Sequence, residues 1–137
     1  MTGADVFCLM KDAGAGCIIA QRELADRALA LALEPGDALD PFTLLIEGAV
    51  FARLAAARGA KEDHERCVAI AGHLTGFLGA DDDICAEAIA RIELMAEDGC
   101  DESAQFLPTY APQTTPAMMQ LAQSFAARLR LQKEHAQ

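Results

Sequence analysis

Tryptophan is absent, tyrosine occurs once, and six phenylalanines complete the aromatic set. A wide core built on large rings is therefore excluded. Serine occurs only at Ser103 and Ser124, neither inside Gly-x-Ser-x-Gly, which removes the nucleophile elbow. No Cys-x-x-C pair exists among Cys8, Cys17, Cys67, Cys85 and Cys100. An odd number of unpatterned cysteines reads as free thiols in a reducing cytoplasm. The first residues hold no basic stretch followed by an apolar one, so no secretory leader is expected. No run of about 18 apolar residues is free of charge, so no membrane span is expected. Basic residues are scarce as well: 11 Lys and Arg stand against 21 Asp and Glu, a net charge of −10. Nucleic-acid binding needs a basic face that neutralises phosphate, and this chain has none.

What is abundant is alanine, about a fifth of the residues, with glycine between the alanine-rich stretches. Alanine is the strongest helix former, and β-branched residues never alternate with polar ones over any length. The fold class is all-α: a single domain over 1–137 with six or seven helices in antiparallel pairs. The first helix is expected over about 4–12 and ends at Gly14 and Gly16. The second covers about 17–33, with Ala20, Leu24, Ala28 and Leu31 as its apolar stripe, and stops at Glu34-Pro35-Gly36.

Asp40-Pro41 opens the third helix as N-cap and first helical residue, and Gly59 closes it after Arg58. The fourth runs from Lys61 to Leu78-Gly79, with Glu62 and Asp63 favouring its positive end. Asp81-Asp82-Asp83 caps the fifth, which carries Ile84, Ala88, Ile92 and Met95 to a stop at Gly99. A short sixth spans 102–107. A Pro/Thr-rich linker over 108–116 then precedes a C-terminal docking helix. Its residues Met118, Leu121, Ala122, Phe125 and Leu129 form an amphipathic stripe. Small residues at helical spacing predict close packing: Ala20, Ala28 and Gly48 face neighbouring helices, while Gly16, Gly59 and Gly99 sit at turns.

Three segments resemble Sel1-like repeats, relatives of the tetratricopeptide repeat. They are Gly16-x-x-x-Ala20-Gln21-x-x-Leu24-Ala25, the stretch Gly59-Ala60-Lys61-Glu62-Asp63 through Val68, and Ala96-Glu97-Asp98-Gly99 through Ala104-Gln105-x-Leu107. Cys67 stands where the family usually has alanine, and Pro108 and Pro112 interrupt the place of a further first helix. The likeness covers about half of the chain. It implies a short stack of helix pairs and an adaptor surface without activity of its own. A closed orthogonal bundle is the alternative arrangement.

Candidate chemistry is sparse. His64-x-x-Cys67 puts two ligand types on one helical face, with Cys85 within reach of a neighbouring helix, but zinc needs three or four ligands. His73 lies too far round the helix to join them, and the competing expectation is a core Cys67 with a solvated His64. Asp81-Asp82-Asp83 lacks the spacing of a calcium loop and already serves as a cap. A Cys67 or Cys85 thiol beside His73 is the one nucleophile arrangement left open. No metal, no cofactor and no catalysis are expected. Glu47 sits in the apolar run Leu44 to Val50. It is either a buried polar group with a raised pKa, or it points to solvent or pairs with an arginine such as Arg53 or Arg91.

The acids are unevenly spread: Asp81, Asp82, Asp83, Glu87, Glu93, Glu97, Asp98, Asp101 and Glu102 fall in one block with Arg91 as its only base. The leading functional expectation is a protein-interaction module whose partner, a protein or peptide of basic character, meets this block. The alternative is a small-ligand-binding bundle with an apolar pocket between the third and fifth helices near Glu47. A third reading is a homodimer through the C-terminal helix.

Overall fold

The computed structural model describes the backbone of residues 3–34, 39–79, 82–110 and 114–136. Seven α-helices follow one another, with no strand among the described residues: α1 (Gly3–Gly14), α2 (Ile18–Leu33), α3 (Pro41–Ala56), α4 (Lys61–Leu78), α5 (Asp82–Glu97), α6 (Asp101–Tyr110) and α7 (Pro116–Ala136). Their ends have local causes. Asp40 accepts from the Thr43 backbone N–H at 3.2 Å, with Pro41 as the first helical residue. Thr115 caps α7 the same way, its Oγ1 accepting from the Met118 N–H at 3.1 Å.

Gly16 and Gly99 close α1 and α5 at φ of 100° and 97°, where a side chain would be strained. At both turns the next amide reaches back five residues, Cys17 to Asp12 and Cys100 to Met95, each at 3.0 Å. These bonds satisfy carbonyls that the helix end would otherwise orphan.

Each helix packs on the next in chain order as far as α6, and α7 returns to α5. The contacts are made by small residues. Ala25, Leu45, Ala49, Ala52, Ala56, Cys67, Ile70 and Leu74 form the main core between α2, α3 and α4. A Cβ on Gly48 would lie 3.1 Å from the Cβ of Ala28 and 3.6 Å from the Ala25 carbonyl, so α2 and α3 approach closely at this point. Ala20 and Ala28 are buried as expected.

The expected stripe of α7 docks on α5: Met118 and Ala122 meet Ala86 and Ile89, and Ala126 and Leu129 meet Ala90. The apolar face offered for homodimerisation is therefore occupied within the chain. At its far end the stem of Lys133 covers Gly59, where an added Cβ would come within 2.7 Å. The last helix is thus tied to the α3–α4 turn.

Two expectations are corrected at α6. It begins at Asp101 and continues through Pro108 to Tyr110, so the segment before α7 is shorter than 108–116. Pro108 has no N–H for the Ala104 carbonyl, and the helix carries on with that bond missing. Residues 111–113 of the expected linker lie outside the described residues. Among the described residues no helix is long and apolar enough to cross a membrane.

Gly48 and Gly72 give opposite expectations. Gly48→Val forces bulk into the α2–α3 contact and is expected to lower unfolding free energy by about 1–3 kcal/mol. Gly72→Ala, with nothing within 4 Å of the added Cβ, is expected to raise it by up to about 1 kcal/mol through helix propensity. Urea titration of both variants measures this, and equal effects would remove the close-approach explanation.

Candidate functional site

The acidic block is not one unpaired face. Glu87 is half-buried and bridges Arg53 at 3.1 Å and Arg91 at 3.4 Å. Glu97 is held by Arg130, and Asp98 by Lys133 at 3.5 Å. Glu93 is half-buried, while Asp83, Asp101 and Glu102 are exposed. Asp81 lies outside the described residues, and only the backbone of Asp82 is described. Three of the acids therefore join helices within the chain, leaving a weaker outward field than the sequence implied.

A stronger cluster lies elsewhere. Asp63 is 0% exposed and is gripped by both nitrogens of the Arg22 fork, at 2.8 and 2.7 Å. Arg66 adds a bond at 3.1 Å and turns its other face to Asp26 at 2.8 and 3.2 Å. Arg22 also reaches Glu62 at 2.8 Å. Two arginines and three carboxylates thus bolt α2 to α4. Donating to Asp63 holds the Arg22 guanidinium above its ordinary pKa. For Arg66 the leading cause of a raised pKa is Asp26.

Helix-end acidity alone accounted for Asp63 in the sequence. The missed signal is its register: Asp63, Cys67, Ile70 and Leu74 recur at helical spacing, and all four are buried. A carboxylate on such a stripe has to find cations.

The next residue, His64, is buried rather than solvated, at 4% exposure. Arg91, itself 3% exposed, reaches its Nδ1 at 3.0 Å. A guanidinium only donates, so Nδ1 accepts and the ring is neutral with its proton on Nε2. Burial first, and the Arg91 charge second, lower the ring pKa to about 4.

Cys67 stays in the core, where burial raises its thiol to about 11, while His73 is exposed on the same helix. That pair does not make a thiolate nucleophile. Cys100, just before α6, is half-buried. Its thiol accepts from Ser103 Oγ at 3.2 Å, and its pKa is lowered chiefly by that bond. All five cysteines are free. No group of three or more His, Cys, Asp or Glu that could hold a metal occurs among the described residues.

Glu47 is exposed, so of its expected placements the solvent-facing one holds and the buried polar one is corrected. The buried face of α3 is Leu44, Leu45, Gly48, Ala49, Ala52, Ala55 and Ala56. Glu47 falls on the other side, with Ile46, Val50, Arg53 and Leu54. Arg53 and Arg91 pair with Glu87 instead. The space between α3 and α5 is only about 10 Å³, so the expected pocket is closed there.

Glu47 lines a different space, an apolar groove of about 750 Å³. Leu24, Ala28 and Leu31 of α2 form its floor, Val6 and Met10 of α1 one wall, and Leu44, Val50 and Phe51 of α3 the other, with Leu39 at the edge. Two smaller apolar hollows, each just under 300 Å³, lie along α4 and α5. One is edged by Cys85 and the other by Cys100.

Asp63→Ala leaves Arg22 and Arg66 facing a space without their shared carboxylate. Arg22 keeps Glu62 and Arg66 keeps Asp26, so the expected loss of unfolding free energy in urea titration is about 1–3 kcal/mol, that of charge-assisted hydrogen bonds; no loss would show the cluster to be dispensable. His64 sets an acid limit. The unfolded ring titrates near 6.5 and the folded one near 4, so the unfolded chain binds the extra proton between those values. Stability therefore falls as pH drops from 6.5 to 4, by about 3 kcal/mol from this group, and is unaffected by it above 6.5. His64→Asn keeps an acceptor for Arg91 but does not titrate. It is expected to flatten that window when unfolding is measured at pH 7 and at pH 4.5. No family model, curated protein or solved structure matches the chain, and function has to be read from this geometry.

Proposed function

We propose that the chain is a helical protein-interaction module, without catalysis of its own, whose partner-facing surface lies on α1–α3. One observation carries this reading. Among the described residues, ten of the thirteen large apolar side chains left exposed belong to the N-terminal part: Val6, Phe7, Met10, Ile19, Leu31, Leu33, Leu39, Ile46, Val50 and Leu54. Scattered exposed leucines need no explanation, but a contiguous apolar surface marks an interaction site. Here several of them border one groove.

The ion pairs of Glu87, Glu97 and Asp98 weigh against the 81–102 block as the main docking face. The overall charge of −10 still favours a basic partner through long-range attraction. An adaptor role is also what the Sel1-like resemblance implies, and five free thiols suit a cytoplasmic setting.

A photo-crosslinking amino acid at Val50 is expected to capture a discrete protein adduct in the source cell, whereas the same group at Asp101 captures little. Equal capture at Asp101 would return the interface to the acidic block, and no adduct at either position would refute the interaction role.

A further inference from the structure

We infer that the α1–α3 groove receives a cationic amphipathic α-helix, laid along α2 with a lysine or arginine opposite Glu47. This names the partner of the surface proposed above and rests on that proposal.

Shape comes first. From Leu24 to Leu31 the floor of the groove runs about 10 Å at 1.5 Å per residue, two helical turns. Its walls belong to α1 and α3, which flank α2 with little packing between them. A trough floored by one helix and walled by two others fits a further helix with apolar anchors at i, i+4 and i+7. A small molecule is a poorer fit. Pockets for such ligands enclose most of the ligand surface, whereas Met10, Leu31, Leu39 and Val50 are themselves 51, 44, 55 and 49% exposed. An occupant that covers these four side chains has to extend beyond the trough.

Charge decides the sign of the partner. Glu47 and Arg27 are the ionisable residues lining the groove. Arg27 is engaged by Glu23 at 2.7 Å, while Glu47 is exposed and has no ion pair with a described residue. The other arginines of α1–α3 are engaged too, Arg22 by Asp63 and Arg53 by Glu87. An anionic ligand or anionic membrane would meet no uncommitted arginine here; Lys11 of α1 is exposed but does not line the groove, and the net −10 repels both. A second copy brings another −10, and its one basic amphipathic helix, α7, already spends its apolar stripe on α5.

The probe is a synthetic Leu/Lys amphipathic helix of about five turns, long enough to fold on binding, beside its Leu/Gln and Leu/Glu counterparts. Binding is followed by fluorescence anisotropy and oligomeric state by light scattering. The Lys peptide is expected to bind the wild-type chain most tightly. The double variant Leu31→Glu/Val50→Glu changes two exposed positions and adds two negative charges. Adsorption driven by charge alone would grow stronger on it, but groove binding is expected to weaken at least about tenfold. Glu47→Lys is expected to weaken the Lys peptide about fivefold and leave the Gln peptide unchanged.

Three results overturn the inference. Lys-peptide binding undiminished in the double variant means surface adsorption. Equal binding of the Gln and Lys peptides, lost in the double variant, keeps α1–α3 as the interaction face but removes the cationic partner. A wild-type dimer that dissociates in the double variant, with no peptide bound, makes the occupant a second copy.

Discussion

One carboxylate with no exposure to water constrains the N-terminal part of this protein. Asp63 sits on the inner stripe of α4 and is neutralised by Arg22 from α2 and Arg66 from its own helix. A bare charge in that position would cost several kcal/mol. The ion cluster therefore permits one relative placement of α2 and α4, with α3 wedged against both. Such clusters are weak evidence for net stability, since an apolar replacement of equal shape can be as stable. Their effect is on uniqueness: the bidentate fork of Arg22 has one geometry, whereas alanine faces can slide past each other.

That restraint matters because the packing around it is made of small residues. Alanine and glycine let the Gly48 backbone of α3 come close to the Ala28 methyl and the Ala25 carbonyl of α2. They also bury little apolar surface per residue, so large side chains fill only part of the interior. The remainder, Val6, Met10, Leu31 and Val50 among them, is left on the outside of α1–α3. The same composition that lets helices pack tightly thus produces an apolar groove in a strongly acidic protein, and function is argued from that combination. At the other end, α5 and α7 pack their stripes against each other.

Much of the architecture was legible in the chain. Helix ends were marked by Asp40-Pro41 and by the glycines at 16, 59 and 99, because caps and left-handed turns depend on a few adjacent residues. The docking stripe of α7 was legible because it is a periodicity within one helix. The site was far less so. The apolar neighbours of Glu47 left burial and exposure both open, because in a helix the neighbours in sequence point in different directions, and it faces outward. His64 looked solvated, yet Arg91, twenty-seven residues away, reaches it in the interior.

The sequence by itself determined that this protein is a chain of helices, where nearly all of them begin and end, and that it carries an excess of acid. These are properties of residues acting on near neighbours. Only the tertiary structure decided which acids are spent. Glu87, Glu97 and Asp98 fold back onto Arg53, Arg130 and Lys133, while Glu47 is left beside an open groove. Composition counts charges, but charge acts through distance, and distances between helices are set by how their side chains pack.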